Sequence, residues 1–251
     1  FESFYNEFGQ VIKAGIPTDF ENKDRIASLV RYKTTKSDGK YVTLDEYIER
    51  MPEGQTDIYY ITGENLNALI NSPLLETLKA KDYEVLLMVD PVDEWVTQSL
   101  FKYKDKNLKS AEKGDLELDK VDETKKGEYS ALFNFIKEKL EDKVKDVQVS
   151  NRLKDSVSCL SADDYGMSAY MEKIMKASGQ DMPAQKRSLE LNINHPLIAK
   201  MKNIFETDTT NPILKDYSEI LLDIAIVSEG GKVDNPAGFS QRIGEIMAKS
   251  I

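Results

Sequence analysis

The sequence predicts a mixed α+β and α/β protein in three parts, and three patterns in its 251 residues support this. Two short stretches rich in β-branched and aromatic residues, Asp57–Thr62 and Tyr83–Val89, alternate with helical patterns, which indicates a small parallel sheet between helices. Helical spacing dominates the start of the chain, and two strongly apolar helices end it. We therefore expect a helical segment over residues 1–51, a small three-layer αβα part over 52–128, and an α+β domain over 129–251 that ends in a pair of apolar helices.

The helical segment is predicted from spacing, turn and capping patterns. Aromatic and aliphatic residues recur at helical intervals over Phe1–Ile12. The Ser-Asp-Gly-Lys run at 37–40 predicts a turn. Thr43 and Glu46 form a capping box, which predicts a short helix that ends before Pro52.

The αβα part is predicted from apolar runs and from the residues that separate them. Tyr83–Val89 is almost continuously apolar, as expected of a strand that is covered on both faces. Pro73 is suited to the first turn of a helix between the two strands. A helix over Val92–Leu100 and a short strand over Asn107–Ala111 follow. Residues 112–128 are mostly charged, so we expect a linker there at the domain boundary.

The α+β domain begins with a helix whose apolar residues lie within Leu132–Leu140. Val144–Val149 alternates like a strand, and we expect Val157–Leu160 to pair with it. Ser188–Ile193 has the two-residue period of a further strand, and Pro196–Phe205 predicts another helix.

A methionine-rich helix is predicted within residues 164–179. The residues of its apolar face share helical spacing and are Met167, Tyr170, Met171, Ile174 and Met175. Asp164 can cap its start, and Gly179 can take the left-handed position after its end. Three methionines on one face make a soft, adaptable apolar surface. The face either completes the core or is exposed and binds other proteins, and periodicity alone favours the core.

Two apolar helices end the chain, one over Pro212–Val227 and one that starts at Pro236 behind the capping residue Asn235. The first is apolar almost all round and needs contacts on more than one side. A homodimer that packs both helices against their symmetry mates would supply those contacts. Completion of a core within one chain explains the pattern equally well.

Composition and charge exclude several classes of partner. The net charge of −10 argues against nucleic acid and anionic membranes, because phosphate groups bind basic faces. No apolar run approaches the roughly 20 residues that span a bilayer. The lone Cys159 excludes an internal disulfide and fits the reducing cytoplasm. Because the chain starts at Phe1, without an initiator Met or a signal-peptide pattern, we interpret it as a fragment of a longer protein.

Residues suited to catalysis are few. His195 is the only histidine, so it cannot build a histidine metal site, and we interpret it as a surface or capping residue before a helix. The strand ends near Thr62 and Asp90 could form the small-molecule site of an α/β enzyme, but neither runs into a glycine-rich phosphate loop. We interpret Asp93 and Glu94, which follow Asp90, as helix-capping residues.

Trp95 is predicted at the margin of the helix over Val92–Leu100. It lies about 60° from the centre of the apolar stripe, with Gln98 and Glu94 further toward solvent. A marginal tryptophan either closes the core or anchors a binding surface.

Several motifs, in order along the whole chain, resemble the heat-shock protein 90 chaperone family. The more specific ones are Tyr59–Glu64 (YYITGE), Pro91–Glu94 (PVDE), Val149–Leu153 (VSNRL) and Met171–Ala177 (MEKIMKA). Shorter ones are Phe4–Tyr5, Leu29–Tyr32 and Arg50–Pro52. The resemblance implies the end of the family's middle domain followed by its C-terminal dimerisation domain, in the bacterial form.

The resemblance also implies a function. The family's ATP-binding domain would lie upstream, so this fragment should need neither ATP nor Mg²⁺ and should have no ATPase activity. Unfolded or partly folded client proteins would contact Trp95 and the methionine-rich face. The last two helices would form a homodimer bundle, and the residues expected there are Tyr217, Leu221, Ile224, Phe239, Ile243 and Met247. The implied partners are a second copy and clients, without nucleic acid or membrane, in the cytoplasm.

Two rival hypotheses stay open. One is an α/β enzyme with its site near Thr62 and Asp90. The other is a purely structural dimerisation scaffold that binds no client.

Overall fold

The computed structural model of the chain describes residues 1–118, 123–180, 183 and 185–249. The chain forms two compact units, each assembled from separate stretches. Unit 1 comprises Phe1–Asn71, Leu78–Lys113 and Met167–Ala184. Unit 2 comprises Ser72–Thr77, Gly114–Gly166 and Gln185–Ile251. This division differs from the three predicted parts, because the methionine-rich segment groups with the first half of the chain.

Helices and strands alternate along most of the chain. The helices are α1 (Glu2–Thr18), α2 (Lys23–Leu29), α3 (Leu44–Glu49), α4 (Leu66–Ile70), α5 (Glu76–Ala80), α6 (Asp93–Ser99), α7 (Glu123–Leu140), α8 (Ala169–Ala177), α9 (Pro196–Thr207), α10 (Ile213–Ser228) and α11 (Pro236–Lys249). The strands are β1 (Arg31–Thr34), β2 (Val42–Thr43), β3 (Ile58–Thr62), β4 (Val85–Met88), β5 (Lys102–Tyr103), β6 (Lys106–Ser110), β7 (Val147–Val149), β8 (Ser158–Ser161) and β9 (Ser188–Leu191). The predicted mixed α+β and α/β class is confirmed.

Unit 1 is organised around a six-stranded sheet in the order β2-β1-β4-β3-β6-β5. Strand β3 runs parallel to both β4 and β6, with Tyr60 opposite Leu86 on one side and Ser110 on the other. Every residue of β3 and β4 is buried, which explains their nearly continuous apolar sequences. The predicted parallel α/β layer is therefore present.

The predicted helical segment also contributes strands to this sheet. Strand β1 pairs antiparallel with β4, through Lys33 and Leu87, and with β2. Its side chains alternate between half-buried and buried, with Tyr32 and Thr34 inside. Four residues of two-residue period are a weak signal beside the helical spacing that flanks them, so the sequence did not predict this strand.

The capping box and the turn predicted in the helical segment are both present. Thr43 accepts a hydrogen bond from the Glu46 amide, and the Glu46 side chain accepts one from the Thr43 amide, which is the predicted capping box. Asp38 and Gly39 both have positive φ in the predicted turn.

Unit 2 holds a three-stranded sheet in the order β7-β9-β8. The predicted pairing of β8 with β7 is wrong, because β9 lies between them, parallel to β7 and antiparallel to β8. All four residues of β9 are buried, as are all four of the edge strand β8. Its core also includes apolar residues of α7, α9 and α10.

The predicted linker over 112–128 is partly structured. Glu112 and Leu116 are buried, and α7 already begins at Glu123. Residues 119–122 of the predicted linker lie outside the described residues.

The Glu76 carboxylate joins two elements of unit 2. Glu76 comes directly after a one-turn 3₁₀ helix that starts at Pro73, where the sequence predicted a helix start. The carboxylate accepts hydrogen bonds from the amides of Lys154 and Asp155, at 2.6 and 2.9 Å, and from the amide and hydroxyl of Ser156.

Candidate functional site

Helix α6 presents Trp95 at the edge of the unit 1 core. This helix follows β4 after a short loop, and its Val96 faces inward with no exposed area. Trp95 is 39% exposed, so its predicted marginal position is confirmed. A large, partly exposed aromatic side chain on a short helix is suited to anchor a binding partner.

Glu94, beside Trp95, is buried, and the expectation that it faces solvent is wrong. Its carboxylate accepts a hydrogen bond of 2.6 Å from the Ser168 hydroxyl, which comes from a distant part of the chain. A buried carboxylate needs such donors to replace water. Asp93 and Glu94 do lie in the first turn of α6, as expected, and the Asp93 carboxylate accepts a hydrogen bond of 3.1 Å from the Asp90 amide just before the helix.

Ser168 and Glu112 define the start of α8. The Ser168 hydroxyl caps the helix by accepting a bond of 2.9 Å from the Met171 amide, so the predicted cap, Asp164, is wrong by four residues. The Ala169 amide, the first of the helix, donates to the buried Glu112 carboxylate at 2.7 Å. Two carboxylates of unit 1 thus receive donors from the positive end of this helix.

The methionine-rich face of α8 is divided by its packing. Tyr170 and Met171 are each only 7% exposed, and the Tyr170 hydroxyl donates to the Val89 carbonyl, at the end of β4, over 3.2 Å. Burial raises the pKa of the Tyr170 hydroxyl, which keeps it a proton donor. Met167, Ile174 and Met175 are half-buried.

A surface ion pair also joins α8 to the loop after β3. Lys173 on α8 lies 3.3 Å from the carboxylate of Glu64, in the loop after β3. After it, α8 turns toward solvent, and Gly179 takes the predicted left-handed conformation with φ of 78°.

The acidic residues at the end of β4 form a buried ion cluster with α1. The Lys13 ammonium lies 2.7 Å from Asp90 and 3.0 Å from Asp93. Burial raises the pKa of the Asp93 carboxyl to about 6, against the opposing attraction of Lys13. Attraction to both carboxylates outweighs burial at Lys13 and raises its pKa. Lys13 pairs with both carboxylates, and Tyr170 covers the neighbouring strand end, so this edge is filled by the chain itself.

The terminal helices contain the residues expected at a dimer interface. Leu221 has no exposed area and lies in the core of its own chain, so it is not at the surface. Met247 is 60% exposed, and the half-buried members of the set are Tyr217, Ile224, Phe239 and Ile243. Arg242 on α11 pairs with Glu219 and Asp223 on α10 at 2.8 and 2.6 Å, which fixes the two helices to each other.

His195 and Cys159 both occupy structural positions. His195 caps α9, because its Nδ1 atom accepts a hydrogen bond of 3.2 Å from the Leu197 amide. Cys159 is buried in β8, and burial raises the pKa of its thiol. Across the part of the chain that the structure describes, no three His, Cys, Asp or Glu residues are grouped to hold a metal ion. None of its described helices is both long and apolar enough to span a membrane.

Comparison with known proteins identifies the family. The family model described as Hsp90 protein matches residues 1–251. The chain belongs to the Hsp90 family. Two relatives are each named chaperone protein HtpG. That of Geobacter metallireducens is 45% identical over 98% of this chain and 39% of its own length, and that of Mycolicibacterium paratuberculosis is 37% identical over 100% and 40%.

A third relative, the chaperone protein HtpG of Methylococcus capsulatus, is 44% identical over 98% of this chain and 40% of its own length. The resemblance predicted from the sequence motifs, including its bacterial form, is confirmed. The chain spans about two fifths of the length of the curated relatives it matches.

The sequence did not indicate the residues that hold α8 in place. Glu94 and Glu112 look like ordinary surface acids in sequence, and only the fold brings Ser168 and Ala169 to them. The serine before the apolar repeat was the one available signal, since serine is a preferred helix cap.

Proposed function

We propose that this chain is the part of an Hsp90-type chaperone that provides homodimerisation and a share of the client-binding surface. The observation that carries this proposal is that unit 1 contains both an exposed Trp95 and the methionine-rich helix α8. The half-buried side chains of Ile174 and Met175 supply flexible apolar contacts that suit many sequences.

The homodimer would form through α10 and α11. Val227 and Met247 are exposed apolar residues on these helices, and Phe239 and Ile243 are half-buried beside them. Pairing with a second copy would cover this surface in a four-helix arrangement. Two linked copies would place two client surfaces together and raise the effective concentration for a long unfolded chain.

ATP and Mg²⁺ belong, in this proposal, to the parts of the relatives that this chain does not cover. The 251 residues should therefore hydrolyse no ATP, and they should act in the cytoplasm, as the lone buried cysteine suggests. ATP turnover by the purified chain would contradict this assignment.

Client binding is tested with a soluble unfolded protein, fluorescein-labelled, reduced and carboxymethylated α-lactalbumin. Replacing Met175 with Asp, or Trp95 with Ala, should weaken binding by roughly tenfold, because each removes an apolar contact of the surface. Fluorescence anisotropy measures the dissociation constants. The matched control is Val11→Asp, which places the same charge at an exposed apolar residue of α1.

The outcome separates the chaperone from the scaffold hypothesis. A scaffold that binds no client predicts that all three variants and the unchanged chain give the same anisotropy. The rival small-molecule enzyme is disfavoured, because Lys13 neutralises Asp90 and Tyr170 covers the end of β4. A saturable small-molecule ligand displaced by a change at Glu64 would restore that rival.

A further inference from the structure

Helix α8 is fastened at its start and open at its end. Ser168 and Ala169 bond to the buried carboxylates of Glu94 and Glu112, at 2.6 and 2.7 Å. The other end of the segment, residues 176–180, is exposed to solvent. The hydrogen bonds from Ser168, Ala169 and Tyr170 to the rest of unit 1 all lie at this start, whereas the Lys173–Glu64 ion pair further along is on the surface.

The chemistry of the first turn is complementary. The first amides of a helix have no partner within it, and the helix dipole places partial positive charge there. Buried carboxylates in turn require donors. The 2.6 Å separation between the Ser168 and Glu94 oxygens is typical of a charge-assisted hydrogen bond, the stronger class.

The docked position buries two of the five residues of the apolar face. Tyr170 and Met171 are buried, while Met167, Ile174 and Met175 are half-buried. A docked α8 can therefore offer a partner only part of the face that its spacing creates.

The helix is also too short to be independent of its contacts. It has nine residues, and isolated helices of that length are marginal in water. Its opening is opposed by the bonds of its first turn, by the surface Lys173–Glu64 ion pair and by the burial of Tyr170 and Met171, and such an opening would be local.

We propose that α8 is a latch: in the docked state Tyr170 and Met171 are buried, and release of its first turn from Glu94 and Glu112 frees all five apolar side chains for contact with an apolar segment of an unfolded polypeptide. This inference rests on the proposed function, since it specifies the state of α8 that binds a client. The apparent affinity for a client then scales with the fraction of α8 that is open.

The sharpest test replaces Ser168 with Asp and, as a matched control, with Asn. Both residues cap a helix well and have nearly the same volume, so capping and steric effects cancel. Asp places a second carboxylate against Glu94 and repels it. Asn is neutral, and its amide can donate to Glu94 as the hydroxyl does.

Two readouts are taken on the full 251-residue chain. Amide hydrogen exchange, followed by mass spectrometry, reports the opening of α8, with β3 as an internal reference for global unfolding. Fluorescence anisotropy with carboxymethylated α-lactalbumin reports binding. We expect amides of Ala169–Ala177 to exchange at least about tenfold faster in S168D than in S168N, with unchanged exchange in β3 and several-fold tighter binding.

Each alternative result is decisive. Equal exchange of α8 in the two variants overturns the latch, whatever the binding data show. Faster exchange in S168D with equal affinity overturns its role in gating. If neither the unchanged chain nor any variant binds the unfolded protein, the proposed function fails, and the exchange comparison alone then decides whether α8 is a latch.

Discussion

Lys13 and the two aspartates at the end of β4 form a cluster with more negative than positive charge. Asp93 has no exposed area, whereas Asp90 retains contact with solvent. One ammonium cannot fully compensate two carboxylates in a buried place, and the more buried carboxylate bears the cost. This explains why burial raises the pKa of Asp93 to about 6 while its partner Lys13 stays charged.

A raised carboxyl pKa makes stability depend on pH with a definite sign. The folded chain holds the Asp93 proton up to about pH 6, whereas an unfolded aspartate releases it near its ordinary value of 3.8. The resulting stabilisation is complete below the unfolded value and is lost as the pH rises through about 6. Relative to Asp93→Asn, the chain should therefore lose roughly 1–3 kcal/mol in free energy of unfolding between pH 4 and pH 7.

Urea unfolding of both proteins at several pH values measures this difference. The comparison cancels the titration of the other carboxyl groups, which both proteins share. A difference that stays constant, or that grows with pH in favour of Asp93, would show that its pKa is not raised.

At the residue scale, the sequence predicted residues at the edges of helices better than it predicted buried polar residues. Trp95 lies at the predicted edge of its helix, and His195 caps the predicted helix. Glu94, one position from Trp95, was expected in solvent because helical geometry alone places it there. Its buried carboxylate bonds to Ser168, 74 positions further along the chain, and no local pattern carries that information.

At the scale of elements, Glu76 acts as an acceptor for a whole turn. Its carboxylate, at the start of α5, receives the amides of Lys154, Asp155 and Ser156. Burial favours a higher pKa for Glu76, but the hydrogen bonds from Ser156 and the backbone outweigh it and lower the pKa. A turn with its amides satisfied in this way depends on a single side chain.

Replacement of Glu76 with Ala should destabilise unit 2 by about 1–3 kcal/mol at pH 7, since several donors lose their acceptor. Because the pKa of Glu76 is lowered on folding, this contribution is present above the unfolded value of 4.5 and disappears as the pH falls through the lower folded value. Urea unfolding at pH 7 and pH 3 measures both effects. Glu76→Gln, which retains an acceptor oxygen, should lose less, and equal losses for Ala and Gln would contradict this role.

Long apolar periods made the main elements predictable. Strands β3 and β4, helices α10 and α11, and the capping box at Thr43 all occur where the sequence indicated. Short elements were missed, as with β1, because a few residues give too little periodicity. The order of strands in unit 2 was also missed, since pairing between strands that are distant in sequence is not encoded in the period of any one strand.

At the scale of the whole molecule, the proposed dimer can be tested where the structure leaves apolar side chains at the surface. Val227→Asp or Ile243→Glu should raise the dimer dissociation constant at least about a hundredfold, because an unpaired charge would be buried in an apolar interface. Sedimentation velocity over a range of concentrations measures the shift.

The choice of positions matters for this test. Leu221, proposed for the interface from sequence, is buried within its own chain, so a charge there would unfold unit 2 rather than separate copies. Val11→Asp in unit 1 serves as the control and should leave the association state unchanged. Dimers that persist in both variants would place the interface elsewhere.

The family and the layered sheet of unit 1 could be predicted from the sequence, because motifs and apolar periods are local. The division of the chain into units could not. It depends on contacts between α8 and residues such as Val89 and Glu94, which lie more than 70 positions away.

Because α8 groups with unit 1 while the chain on both sides of it groups with unit 2, no single cut separates the two units. A piece that ends at Lys113 keeps all six strands of its sheet but leaves Glu94 and Glu112 without the donors of α8. The remaining piece, residues 114–251, contains α8 as a nine-residue helix whose Tyr170 and Met171 are uncovered. That segment would be open to proteases. Dissection of this molecule is therefore better served by two complementary halves expressed together than by either half purified alone.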